Sequence, residues 1–243
     1  AWDVAGNVET TSAWVVKIDT SITLNLVSPA DGAVTNDTTP SFTWTGTADT
    51  YVLQTSRFVT FAVLQDSRTT TAQTLTVTTI HGADTWYWRV VGYDAAGNNA
   101  ASSPRTLVID TAVSIILSSP ASAARTNDTT PTFSWTGDGD SYRIQVSRVA
   151  DFATITDSAR ISAANYTPST GYGADTYYWR VAASDLAGNV ETAVYRVLYI
   201  DTAVAVALAA PAAGHETSQL RPTFTWTGDG DTYRFEITSD SSF

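Results

Sequence analysis

The residues best able to do chemistry in this chain are aspartates, and they return at a fixed interval. Asp110, Asp138, Asp140, Asp185 and Asn189 form one set, and Asp19, Asp49, Asp94 and Asn98 stand 91 residues earlier. Carboxylate and amide oxygens are the ligands that a hard cation such as calcium prefers. If the loop at Asp138-Gly139-Asp140, the turn from Asp185 to Asn189 and the strand end at Asp110 meet at one pole of a domain, several such oxygens converge. The expectation is calcium at the joints between repeats. The competing reading is that Asp and Asn serve there as turn formers and caps. The pattern is far less specific than an EF-hand loop.

Other chemistry finds little support. His81 and His215 do not recur at the 91-residue interval, and neither has the partners that nucleophilic catalysis or zinc binding needs. Both read as loop residues. Paired aspartates could act as glycosidase carboxylates, but the same turn carries them in every copy, so a non-enzyme is expected. Cysteine is absent, which removes disulfides and thiol chemistry. The net charge is −11 and Lys17 is the only lysine, which argues against nucleic acid as a partner. No apolar run is long enough to span a membrane.

What positions these aspartates is an internal repeat. Asp110-Thr111 and Asp201-Thr202 repeat Asp19-Thr20, while Trp135 and Trp226 repeat Trp44, all at offsets of 91. Two full copies, 19–109 and 110–200, align without a gap and share about half their residues. Residues 1–18 match the closing part of a repeat and 201–243 match the opening part, so the natural polypeptide is expected to continue in both directions. A fixed period of this size marks an array of small domains.

Within one repeat the hydrophobic pattern has period two, which is the signature of strands. Val113 to Ser118 reads as a first strand and Ala121 to Pro131 as a loop. Phe133 and Trp135 share a face, as do Tyr142, Ile144 and Val146, and then Tyr177, Trp179 and Val181. Residues 148–170 are weaker. Gly188 or Asn189 can supply the left-handed residue that closes the Asp185 turn. Short strands with frequent turns predict an all-β sandwich, with Trp44, Trp88, Trp135 and Trp179 as its core.

The succession Ser-Trp-Thr, Tyr-Arg-Ile-Gln-Val, Gly-Ala-Asp-Thr-Tyr-Tyr-Trp-Arg-Val and Asp-Leu-Ala-Gly-Asn resembles bacterial fibronectin type III or Ig-like repeats of large cell-surface, adhesin-like proteins. The resemblance covers both full copies. It implies the sandwich fold and an extracellular setting, and it makes Tyr177 the tyrosine-corner residue. The first copy departs there, with Trp86.

Only Asp110-Thr111-Ala112 separates Ile109 from Val113, too short for a flexible hinge. Repeats are therefore expected to stack end to end as a stiff stalk or filament of a bacterial surface protein or fibre. The alternatives are spacer or carbohydrate-binding repeats of a secreted polysaccharide-degrading enzyme, and a surface-layer lattice component. The expected partners are neighbouring repeats of the same longer chain and like chains in a fibre or lattice. Glycans are a further candidate, because Tyr87 and Tyr178 point outward beside Arg89 and Arg180, with Tyr199 on the last strand. Asn36, Asn127 and Asn165 open glycosylation sequons, although Asx turns explain the first two equally well.

Overall fold

A computed structural model describes residues 1–10, 12–14 and 21–239. Among these, every regular element is a strand. The chain divides into two compact units, Ala1–Val113 with Ser184–Val190, and Ser114–Ala183 with Glu191–Phe243.

The first unit holds β1 (Leu24–Ser28), β2 (Ala33–Thr35), β3 (Ser41–Gly46), β4 (Thr50–Ser56), β5 (Asp66–Thr70), β6 (Thr74–Thr76), β7 (Asp84–Tyr93), β8 (Asn99–Ala101) and β9 (Arg105–Ile109). One sheet runs β1-β3-β6, the other β2-β9-β7-β4-β5, with β8 paired to β7. Leu26, Phe42 and Trp44 from the first sheet pack in one cluster with Leu53, Trp86, Trp88, Val90, Leu107 and Ile109 from the second. Two sheets that share a core in this way are a sandwich.

The second unit repeats the plan with β10 (Ile115–Ser119), β11 (Ala124–Thr126), β12 (Phe133–Gly137), β13 (Ser141–Ser147), β14 (Asp157–Ile161), β15 (Asn165–Tyr166), β16 (Asp175–Ser184), β17 (Val190–Thr192) and β18 (Arg196–Ile200). Its sheets run β10-β12-β15 and β11-β18-β16-β13-β14, with β17 on β16. Tyr177, Trp179, Val181 and Ala183 are buried in alternation along β16, the inward face that a period of two requires. Trp44, Trp88, Trp135 and Trp179 are all buried, and none of their four indole N–H groups has a hydrogen-bond partner. Further along the second unit, β19 (Val206–Ala210) pairs with β20 (Thr225–Gly228), repeating the β10–β12 register.

One expectation needs correction. The stretch from Ala121 to Pro131 is not all loop, because β11 lies inside it and pairs parallel with β18. Its three residues, Ala-Arg-Thr, carry no aliphatic alternation, so the period-two signal was absent. The weak stretch 148–170 contains β14 and β15. The sequence of β14 is polar because it is an edge strand with one exposed face.

The first strand also switches sheets. β1 pairs with β3, whereas β2 pairs with β9, and the β1 register slips between Leu26 and Ser28. The same slip falls between Leu117 and Ser119 in β10. A slip leaves carbonyls without ladder donors, and an arginine collects them. Arg105 Nη2 donates to Leu26 O at 2.6 Å, and its Nη1 donates to Val27 O and Pro29 O, both at 2.9 Å. Arg196, 91 residues later, does the same for Leu117, Ser118 and Pro120 at 2.5, 2.8 and 3.0 Å.

Candidate functional site

The Asp185 turn is a clasp closed by its own side chains. Asn189 donates its backbone N–H to Asp185 Oδ1 at 2.8 Å and its Nδ2 to Asp185 Oδ2, also at 2.8 Å. The Asn189 amide holds the Asp185 carboxyl below the usual carboxylate range. Gly188, rather than Asn189, supplies the positive φ, at 94°. Asp94 with Asn98, and Asp3 with Asn7, form the same clasp, and each carboxyl is lowered for the same reason.

Within the first unit, Asn189 Nδ2 also donates to Asp110 O at 2.9 Å, and Asn36 N donates to Ala187 O at 3.1 Å. Asp110, Asp185 and Asn189 are thus brought together. Asp110 contributes its backbone carbonyl here, while its carboxylate accepts from Ala112 N at 3.3 Å.

Asp138 has a different task. Its Oδ1 accepts from Ser114 N at 2.6 Å and from Ser114 Oγ at 3.1 Å, and this backbone bond lowers its pKa first. Asp229 accepts from Ala205 N at 2.7 Å, and in the first copy Thr47 Oγ1 accepts from Thr23 N at 3.0 Å. The position is therefore an acceptor for the N–H that opens the first strand, and a threonine serves as well as an aspartate. Gly137 permits the approach, because a Cβ there would lie 2.3 Å from Ser114 O. Asp49 Oδ2 accepts from Ala95 N at 2.7 Å, tying its loop to the Asp94 turn. Asp140 belongs to the second unit. Asp19 lies outside the described residues.

Calcium takes six to eight oxygens at about 2.3–2.6 Å. Among the described residues no group of three or more His, Asp or Glu side chains is placed to hold a metal ion. The carboxylates of Asp49, Asp94, Asp138 and Asp185 are taken up by N–H groups.

The tyrosine corner is present in both copies, with different chemistry. Tyr177 OH donates to Gly173 O at 3.1 Å, and Trp86 Nε1 donates to the equivalent Gly82 O at 2.9 Å. The indole replaces the phenol without loss of the bond. His81 does lie between strands, but it is buried to 1% exposure with its ring against Trp86. Its Nδ1 pairs with Thr79 O and its Nε2 with Thr55 Oγ1, each at 2.9 Å. In the second copy Tyr172 takes that place. Tyr166 and Tyr172 both donate to Asp157 Oδ2, at 2.8 and 2.7 Å. The turns at the first two sequons are made by Asp37 and Asp128, which accept from Thr39 N and Thr130 N at 2.8 Å.

On the outer sheet face Arg89 and Arg180 are held by Gln54 and Gln145, at 2.8 and 3.0 Å, and lie over the rings of Phe61 and Phe152. Both phenylalanines have positive φ, near 56°. Tyr178 meets Tyr195 edge-on at 5.5 Å, and Arg125 lies over Tyr199 at 4.7 Å. The residues missed from sequence were Arg105 and Arg196. Their recurrence at the start of the last strand, at the repeat interval, was the signal that could have found them.

No protein-family model matches the chain. It is 31% identical over 158 residues to an uncharacterized protein of Treponema pallidum (strain Nichols), a match that covers 58% of this chain. The chain spans 23% of the length of that curated relative. Among solved structures it is similar to the fibronectin(III)-like modules of Clostridium thermocellum CbhA, with 14% identity, a TM-score of 0.40 and coverage of 73% of this chain and 94% of that one. It is also similar to a tetra-tandem repeat in the extending region of a large adhesion protein, with 15% identity, a TM-score of 0.33 and coverage of 77% and 52%. By its own strand order and shared core, the chain is an all-β repeat protein built of fibronectin type III-like sandwiches.

Proposed function

We propose that this chain is a structural segment of a bacterial extracellular surface protein or fibre, serving as a stalk or filament and not as a catalyst. The observation that carries the reading is how the repeated polar residues are used. Asp94 and Asp185, Arg105 and Arg196, and Trp86 and Tyr177 each spend their hydrogen bonds on backbone or turn groups of the fold. A catalytic array would aim some of its repeated polar groups at a reacting ligand. In this reading 19–109 and 110–200 are the folding repeats, and their neighbours are further copies in a longer chain. Stability of such an array is a sum of repeat and nearest-neighbour terms, which suits a load-bearing role.

Single-molecule stretching tests it. At about 3.5 Å per residue, 91 residues give roughly 320 Å of contour, from which the folded repeat subtracts roughly 40 Å. Two force peaks with increments of roughly 280 Å are expected. Smooth extension without peaks would remove the mechanical reading, and antibody labelling found only inside intact source cells would remove the surface one.

A further inference from the structure

The outer face of the β11-β18-β16-β13-β14 sheet carries a cationic band in a chain whose net charge is −11. Arg143 on β13 and Arg160 on β14 are register partners directly across the ladder, and both are exposed. Among the described residues neither makes an ion pair. Like charges set opposite each other in this way destabilise a sheet. Arg180 continues the band on β16, whereas Arg125 on β11 lies over Tyr199 in a hollow it shares with Asp201, Asp229 and Asp231 and stands apart from it. No carboxylate occupies an outward position on these five strands. Asp157 and Asp175 have the opposite parity, Asp157 being opposite buried Val146 and Asp175 in step with buried Tyr177. The first copy has Val52 and Thr69 where the second has Arg143 and Arg160.

We infer that this face of the second repeat binds an acidic polysaccharide, one whose sugar rings carry carboxylate groups. Guanidinium forks match carboxylates with two parallel hydrogen bonds. Between the arginines stand rings of the kind that cover the apolar face of a sugar: Tyr178 packs edge-on against Tyr195, which is 41% exposed, and Tyr199 lies beyond them. The three strands β14, β13 and β16, spaced about 4.8 Å apart, make the band roughly 10 Å wide, a track for an extended chain of sugars. A nucleic acid fits less well, because its dense phosphates meet a molecule that is strongly negative overall. An acidic protein would use the arginines but would not need a ring laid against a sugar face, which is why polyglutamate is one of the probes below. The inference does not depend on the mechanical role, since an anchoring face and a load-bearing core use different residues.

Binding is measured by calorimetry on the whole 243-residue chain in low salt, with four probes: oligogalacturonate, a neutral glucose oligomer, polyglutamate and oligo(dT). Oligogalacturonate is expected to bind at least tenfold tighter than each of the others and to weaken as salt screens the arginines. Arg143→Gln with Arg160→Gln should weaken it at least tenfold while the thermal melt stays level or rises, because the like-charge pair is gone. Arg160→Gln alone, on the edge strand, is the backup should the double variant fold poorly. Tyr195→Ala should weaken the uronate probe and leave any polyglutamate signal unchanged. Equal binding of polyglutamate or oligo(dT), no binding of oligogalacturonate, or affinity untouched by the arginine changes would each overturn the proposal.

Discussion

Replacing Arg196 with methionine asks whether one side chain holds the first strand where it changes sheets. The guanidinium donates three hydrogen bonds to Leu117, Ser118 and Pro120 carbonyls, and Arg105 mirrors it on Leu26, Val27 and Pro29. A hydrogen bond from a charged donor is worth about 1.5–3 kcal/mol, but the site is half-buried and water can replace part of the loss. A net cost of about 2–4 kcal/mol follows, well short of the naive sum. Arg196→Lys offers one compact ammonium in place of a planar fork, so it should keep at most half of the stability. Hydrogen exchange with peptide resolution reads each unit separately. Arg196→Met should speed exchange from the most protected peptides of 110–200 by roughly 30- to 700-fold at 1.4 kcal/mol per tenfold, and leave those of β3 to β9 unchanged. Arg105→Met should produce the mirror image. Acceleration below about fivefold, or full recovery with lysine, would show that the clamp is incidental to the switch.

The core indoles separate size from hydrogen bonding. Trp135→Ala should cost on the order of 3–5 kcal/mol in a calorimetric melt. Trp86→Phe and Trp88→Phe delete the same atoms from buried sites, yet only Trp86 donates, to Gly82 O, whereas Trp88 Nε1 has no partner. The Trp86 change should cost about 1 kcal/mol more, and Trp86→Tyr should recover part of it; equal costs would contradict the corner bond. In acid, the lowered carboxyls of Asp94 and Asp185 stabilise the fold fully above their unfolded value near 3.8, and that stability is lost as pH falls through the folded values. The melting temperature should fall steeply only below about pH 4, and Asn98→Ala with Asn189→Ala should flatten the drop. In alkali, burial first and then Asp157 push the Tyr166 phenol up to about 12. The neutral form is favoured in the fold, so stability should hold to about pH 10 and fall beyond it. Asp157→Asn should let that phenol ionise earlier in an ultraviolet titration, and an unmoved late step would show that Asp157 has no part in it.

Sequence patterning was sufficient wherever side chains alternate over a long buried strand, as from Tyr177 to Ala183 on β16. It failed at β11 and β14, which are short, lie at sheet edges and expose one side. Edge strands get their order from backbone pairing, and pairing leaves little trace in residue type. The aspartates were legible as turn formers but not in their individual tasks. Asp138 and Asp140 sit two residues apart in one loop, yet only the register of β10 on β12 places Ser114 N against Asp138. Arg105 and Arg196 were visible as repeated residues, but their purpose depends on a register slip, which no residue pattern announces.

The substitutions between copies show what the 91-residue interval preserves. Thr47 and Asp138 differ in charge, yet each accepts from the N–H that opens its first strand. Trp86 and Tyr177 differ in ring chemistry, yet each donates to the glycine carbonyl four residues upstream. What repeats is a set of donor and acceptor positions fixed by the backbone, and any side chain that reaches the position satisfies it. Inward and capping positions are therefore constrained by geometry in every copy. Outward positions are freer, apart from the Gln54–Arg89 bond that recurs as Gln145–Arg180: Val52 becomes Arg143, Thr69 becomes Arg160 and Pro104 becomes Tyr195 with no change in strand order. A repeat protein of this kind can acquire a binding surface in one copy without disturbing the others. A place to look for what distinguishes one copy's job from its neighbour's is thus the exposed face of the β16 sheet, where Arg143, Arg160 and Tyr195 stand in the second copy and Val52, Thr69 and Pro104 in the first.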